Sequence, residues 1–189
     1  RLLGVNTPEK GKFYSENAVN FLKNEILNKE VELVRDFEDY DRYQRKLRYV
    51  FLNKRFINLE ILQNGYATSF MLDSLKYSEK LKFAENFAKI NEIGLWKKSS
   101  DICSKCIKLV GIYPEEEYFL IKNICDYDCD LNEWIVKDDA NHFIYLEEIE
   151  KNSIYEYKSK IKMWNDDKDR FFMRDSNGEL VIYYEYSLN

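Results

Sequence analysis

Arg1-Leu2-Leu3-Gly4-Val5-Asn6-Thr7-Pro8-Glu9 and, further along, Asp41-Arg42-Tyr43-Gln44-Arg45-Lys46-Leu47-Arg48-Tyr49-Val50-Phe51 decide how this chain is read. The first reads as a strand that ends in a turn presenting Asn6, Thr7 and Glu9, with Pro8 fixing the local backbone. The second reads as a polar loop running into a strand over 47–52. Between them Ser15 can cap a helix whose apolar residues Val19, Leu22 and Ile26 share one face. A strand follows over 31–34. Beyond the second stretch, Asn53-Lys54 turns the chain toward Phe56-Ile57. A short helix is expected over 58–65, stopping at Gly65. The clearest helix is expected over 78–94, from a Ser78 cap through Leu81, Ala84, Phe87 and Ala88, with Glu79, Lys80, Lys82 and Glu85 mostly facing water. Strands first, with helices interspersed and last, suit an α+β domain with a small antiparallel sheet.

The residue types in the two stretches suit work on a phosphate. Arg1 and Arg45 can each grip an anion with a planar two-donor fork. Glu9 can accept a proton from an attacking water. A hard cation held by carboxylate and carbonyl oxygens would polarise a phosphoryl group. A salt-bridged surface rim uses the same residue types, so the spacing by itself leaves both readings open.

Composition narrows the chemistry. The 189 residues are 45 % hydrophobic, enough for one large domain or two small ones, and two prolines with six glycines exclude Pro-rich disorder. No apolar run approaches the length of a membrane-spanning helix. His142 is the one histidine, which makes a Ser-His-Asp triad or a multi-histidine metal site improbable. Residues 1–100 hold 18 Lys and Arg against 14 Asp and Glu; residues 101–189 hold 11 against 20. A mildly cationic half can meet a polyanion and an acidic half would repel one, so the asymmetry argues for two units. The sequence opens at Arg1 rather than at a methionine and is read as a processed or trimmed piece. Its location is extracellular or envelope-associated if an upstream signal precedes it.

The texture changes near Lys97, and residues 99–108 are short and polar enough to be a linker. Strands are expected over 118–124, 134–137, 142–145, 170–173 and 180–186, with Asp175-Ser176-Asn177-Gly178 as a hairpin turn. Such short strands punctuated by turns read as a β-sandwich with Trp134 in its core. Asp126, Asp128 and Asp130 alternate as in a calcium loop, but no Gly or distal Glu completes one, and solvation is expected there. Cys103-x2-Cys106 and Cys125-x3-Cys129 fit two disulfides, a four-cysteine Zn²⁺ site or free thiols.

The paired motifs, with the Gly94-Leu95-Trp96 run, resemble the staphylococcal-nuclease-like (thermonuclease) family over residues 1–98. The resemblance implies an OB-fold: a five-stranded barrel with three helices, whose first strands, together with a second metal aspartate, would lie upstream of Arg1. It implies a Ca²⁺-dependent nuclease acting on DNA or RNA by in-line displacement. Arg1, Glu9 and Arg45 match the catalytic positions, and Tyr43 matches a tyrosine hydrogen-bonding phosphate, with Arg42 beside it as a further substrate contact. Asn6 and Thr7 fall at the metal positions, with Asn6 standing where the family usually carries aspartate. Residues 109–189 resemble a lamin tail domain, which implies an immunoglobulin-like β-sandwich with an unknown protein or envelope partner. Two other functions suit the same residues. One is a non-catalytic nucleic-acid-binding OB module using Tyr43, Arg48 and Tyr49; the other is a protein-interaction scaffold.

Overall fold

Apolar residues at helical spacing build the first unit around three helices. In this computed structural model, which describes residues 1–187, the chain divides into two compact units, Arg1–Lys97 and a second beginning at Lys98. The first unit runs β1 (Val5–Asn6), α1 (Ser15–Ile26), β2 (Glu32–Val34), β3 (Tyr49–Leu52), β4 (Arg55–Phe56), α2 (Ile57–Gln63), β5 (Thr68–Ser69) and α3 (Ser78–Ile90). Antiparallel β2-β3-β4 and antiparallel β1-β5 form two small sheets, and Leu2 bridges Arg48 in parallel beside β3. It is an α+β unit. Leu3, Val5, Tyr49, Ile61, Leu62, Leu81 and Ala84 form its core, and Val50, Leu52 and Ile57 pack with Leu22 and Ile26 of α1.

One buried side chain clips this unit together. The Asn58 amide accepts from the Val50 N–H at 2.8 Å and donates to the carbonyls of Leu3 at 2.9 Å and Arg48 at 3.3 Å. It thereby fixes α2, the lead-in to β3 and the segment carrying Arg1 against one another, and a buried amide so paired costs little to bury. Gly65 and Gly94 make a second clasp. Both have positive φ, and a Cβ on Gly65 would lie 2.0 Å from the Ile93 carbonyl oxygen. Only glycine allows that approach, through which the Leu95 N–H reaches the Gly65 oxygen at 2.8 Å.

Several local expectations change here. Ser15 and Ser78 are the first helical residues rather than caps; Tyr14, with φ 63°, and Tyr77 hold the cap positions. α3 ends at Ile90, before a single 3₁₀ turn at Gly94–Trp96. Val19 and Phe87, placed on buried faces, are 49 % and 43 % exposed, because the surface against each helix covers a narrower stripe than the apolar pattern spans. Glu85, placed toward water, is buried; it accepts the Ser69 N–H at 2.8 Å and the Ser69 hydroxyl at 2.6 Å, and so holds β5.

The second unit is all β. Its strands are β6 (Ile107–Tyr113), β7 (Tyr118–Asn123), β8 (Ile135–Lys137), β9 (Phe143–Tyr145), β10 (Ile154–Lys158), β11 (Lys168–Arg174) and β12 (Leu180–Ser187). They form two antiparallel sheets, ordered β10-β7-β6 and β12-β11-β8-β9. Both sheets contribute to one core, in which Phe119 and Ile121 meet Trp134, Val136, Trp164, Phe171 and Met173. The hairpin turn rests on the buried Asp175, whose Oδ1 accepts from the Asn177 and Glu179 N–H groups at 2.8 and 2.9 Å. Residues 99–108, read above as a linker, belong to this unit. Ser99 donates its N–H to Leu180 and its hydroxyl to Asp175, and β6 opens at Ile107. Residues 188 and 189, the end of the expected 109–189 domain, lie outside the described residues. No helix among the described residues is long and apolar enough to cross a membrane.

A charged cluster lies on the β8–β11 face. Lys137 donates from Nζ to the Asp138 carbonyl at 2.6 Å and lies 4.6 Å from the Phe172 ring centroid. The buried Asp138 carboxylate takes the His142 Nδ1 at 2.6 Å, and Arg170 pairs with Asp139. Burial pushes the Lys137 ammonium down to about 8; Arg174 and Arg170 add to that, while Asp139 and Asp138 oppose it. An unfolded chain keeps this proton to a higher pH than the folded one, so between about 8 and 10 the unfolded state binds more protons and stability rises with pH. The expected gain over that interval is on the order of 1–2 kcal/mol. Thermal unfolding of the full chain at the two ends of the interval should show it, and Lys137→Met should lack it. An unchanged pH response in Lys137→Met would assign the gain to another group.

Candidate active site

The segment carrying Arg1 runs beside the strand that follows the polar loop. The Arg48 N–H donates to the Arg1 carbonyl at 3.0 Å and the Leu3 N–H to the Arg48 carbonyl at 2.9 Å. This local pairing brings Arg1 to the side of the loop that carries Arg45. Its guanidinium lies 5.9 Å from the Phe70 ring centroid. Burial lowers its pKa, the Arg45 charge lowers it further, and the Asp41 and Glu9 carboxylates work the other way. The charges of Arg45 and Glu9, from separate parts of the sequence, thus both act on the Arg1 guanidinium. Among the described residues the Arg1 guanidinium has no hydrogen-bond or ion-pair partner of its own.

The loop is wound around a residue to which the sequence reading gave no role. Asp41 Oδ1 accepts from the Tyr43 and Arg45 N–H groups, both at 2.9 Å, and its Oδ2 takes Arg45 Nε at 2.6 Å. The Gln44 N–H returns to the Asp41 carbonyl at 2.9 Å, with Gln44 at φ 61°. An aspartate that accepts N–H groups two and four residues ahead is a turn-forming arrangement, and the Asp-x-x-x-Arg spacing is its one signal in the sequence. Partial burial would raise the Asp41 pKa, but these donors outweigh it and hold the carboxylate below its ordinary range. The Arg45 side chain stays 51 % exposed, and its bond to Asp41 uses Nε, so the outer edge of the fork faces solvent.

Tyr43 lies between two cations. The Arg42 and Arg45 guanidinium carbons lie 4.8 and 5.1 Å from its ring centroid, and 63 % of the residue is exposed. Such a platform suits a base or sugar, while the guanidinium groups suit the phosphates beside it. Glu9 is exposed beyond the turn, with its backbone carbonyl accepting from Lys12 at 2.9 Å.

The expected metal positions fare differently. Asn6 is buried in β1 opposite Thr68, whose hydroxyl donates to the Asn6 carbonyl at 3.5 Å. With the Thr7 carbonyl, Glu9 and the Asn6 amide, the stretch offers one carboxylate. Ca²⁺ asks for about six to eight oxygens, usually with several carboxylates. Among the described residues no three Asp, Glu or His side chains converge; the cysteines of the second unit are the one such group. The donors in this stretch therefore do not make a calcium site by themselves.

The second unit holds the other candidate residues. Cys103 is paired with Cys129 and Cys106 with Cys125.

Comparison with known proteins bears on the first unit. The family described as "Staphylococcal nuclease homologue" matches residues 1–98. The thermonuclease of Staphylococcus hyicus is 33 % identical over 103 residues, which cover 51 % of this chain and 61 % of that protein. An uncharacterized endonuclease of Haemophilus influenzae is 33 % identical over 105 residues, covering 54 % of this chain and 55 % of that protein. The "Ribonuclease TUDOR 1" of Arabidopsis thaliana is 29 % identical over 97 residues, covering 50 % of this chain and 10 % of that protein. The chain thus spans less than two thirds of the length of these curated relatives.

Proposed function

The chain belongs to the staphylococcal nuclease homologue family through residues 1–98, and from that premise we propose that its first unit hydrolyses phosphodiester bonds of DNA or RNA. The observation that carries this reading is that the charges of Arg45 and Glu9 both act on the Arg1 guanidinium, which has no hydrogen-bond or ion-pair partner among the described residues. An exposed guanidinium with no ionic partner can offer its two-donor fork to an anion. The unit's small antiparallel sheets and three helices are consistent with the OB-fold of that family.

In the proposed mechanism Arg1 and Arg45 hold two oxygens of one phosphate, and Tyr43 with Arg42 seats the neighbouring nucleotide. Glu9 takes a proton from water as it attacks phosphorus in line with the leaving oxygen. The two arginines then face the charge that grows on the equatorial oxygens, where fixed donors act most strongly. No covalent protein intermediate is needed. A calcium ion, which the family resemblance implies, would supply Lewis-acid polarisation of the phosphoryl group. The donors described above do not complete its site, and no step here is routed through it.

One observation favours a second reading, a nucleic-acid-binding module that does not cut. Asn6 takes the place of a carboxylate and is buried in β1, while Tyr43 and the arginines suffice for binding. Product formation separates the readings. Salt-dependent binding of single-stranded DNA is expected under either. Product formation from DNA or RNA by the full-length protein, assayed with and without added Ca²⁺, is expected only if it is a nuclease; binding without product would leave the binding module. For the second unit we propose an immunoglobulin-like sandwich of the lamin-tail type, serving as an interaction or anchoring domain. Its two sheets around one core support the sandwich architecture.

A further inference from the structure

The two cysteine pairs flank a single hairpin. β6 and β7 are antiparallel, with Ile107 opposite Asn123 at the open end. Cys103 opens and Cys106 caps the 3₁₀ turn (Cys103–Lys105) that leads into β6, and Cys125 and Cys129 lie in the loop that leaves β7. All four sulfurs therefore meet at one place. The two disulfides are not independent: Sγ of Cys125 lies 3.6 Å from Sγ of Cys129, although each is bonded to a different partner. Sulfurs of Cys103, Cys125 and Cys129 all fall within 4.8 Å of one another. Four thiolates around a tetrahedral zinc, with Zn–S near 2.3 Å, stand roughly 3.8 Å apart along each edge. Three of the four sulfurs already lie near that spacing, and Cys106 is joined to them through its bond to Cys125.

Hydrogen bonds, besides the sulfur bonds, also hold this arrangement. The Cys103 N–H donates to Asp101 Oδ1 and the Cys125 N–H to Asn123 Oδ1, both at 2.8 Å. Cys129 exchanges two backbone bonds with Ile149 at 2.9 Å, and the Ile124 N–H donates to the Cys106 carbonyl at 3.0 Å. The buried Asn123 amide also donates to Tyr127 and Ile149 carbonyls, shaping the loop between the second pair. None of these contacts involves a sulfur bond that reduction would break. Lys105 lies between the two members of the first pair, and the Tyr127 hydroxyl stands 3.8 Å from Cys106 Sγ. A hydroxyl donor beside the cluster favours thiolates.

We propose that these four cysteines form a redox-gated zinc site: closed as two disulfides when oxidised, binding one Zn²⁺ when reduced. Two molecules of a dithiol deliver four electrons and four protons to the two disulfides, and each dithiol closes to its own disulfide. Zn²⁺ then displaces the four thiol protons and is held as a tetrathiolate of net charge −2. Thiolate softness selects zinc over the hard cations an oxygen site would take. The site ties the entry of β6 to the exit of β7 in either state.

The test uses the full chain, reduced with a dithiol in the absence of oxygen and given Zn²⁺, then freed of excess metal. Native mass spectrometry is expected to show one zinc per chain, lost on denaturation, and Co²⁺ in its place should give the absorption bands of a tetrahedral thiolate complex. Cys106→Ser, at the least buried of the four, should lower zinc affinity at least tenfold and alter the cobalt spectrum. If that variant does not fold, the unaltered chain decides. A reduced, folded chain carrying less than about one zinc per ten molecules would overturn the proposal. So would a chain that unfolds on reduction and is not restored by zinc.

Discussion

Glu9→Gln is expected to slow phosphodiester cleavage by about 10²–10⁴-fold, the range that a positioned general base supplies. Glutamine keeps the size and the oxygen of the side chain but cannot take the proton of the attacking water. Glu9 is exposed beyond the β1 turn and appears in no packing cluster, so the change leaves the fold intact. Its carboxylate also acts on the Arg1 guanidinium. Removing that charge should strengthen the hold of Arg1 on an anion, so substrate affinity is expected to stay level or rise as kcat falls. Steady-state kinetics with binding measured separately resolve the two effects. An unchanged kcat would remove Glu9 from the mechanism.

Arg45→Ala is expected to cost about 10²–10³-fold in kcat/KM, the loss that follows removal of one fixed donor from a charge that develops during reaction. The loop explains why the loss should be clean. Asp41 organises the turn mainly through the Tyr43 and Arg45 backbone N–H groups, and these survive truncation of the Arg45 side chain. Asp41→Asn is the informative companion, since the amide oxygen can still accept both of those bonds but the side chain no longer pairs with the Arg45 fork. It should reduce kcat/KM less than Arg45→Ala does and leave binding of single-stranded DNA nearly unchanged. Equal losses in the two variants would mean that Asp41 acts on the substrate itself, contrary to its place behind the guanidinium.

What could be read from the sequence follows the range of the forces involved. The helices α1 and α3 show themselves in local periodicity, and the β11–β12 turn in Asp175-Ser176-Asn177-Gly178, where the aspartate and glycine each do a local job. Trp134 reads as core because little else accommodates its area, and it is fully buried. Glu85 misleads because its partner, the backbone of Ser69, is 16 residues away and belongs to a two-residue strand that no local pattern announces. β10 was not anticipated for a related reason. Its sequence Ile154-Tyr155-Glu156-Tyr157-Lys158 is half exposed, and pairing with β7 rather than local preference makes it a strand. In the site, residue types pointed to Arg1, Glu9 and Arg45. Asp41 is harder to read because its work is backbone geometry in a loop, for which the Asp-x-x-x-Arg spacing is a weak signal.

The measurement closest to the central claim is a double-mutant cycle on cleavage with Arg1→Ala, Arg45→Ala and the pair. If both guanidinium groups act on one phosphate, each single change removes most of the shared stabilisation. The double variant should then fall far short of the product of the two losses. Losses that simply multiply, or an Arg1→Ala protein as active as the unaltered one, would place the two arginines at separate tasks and leave no common centre.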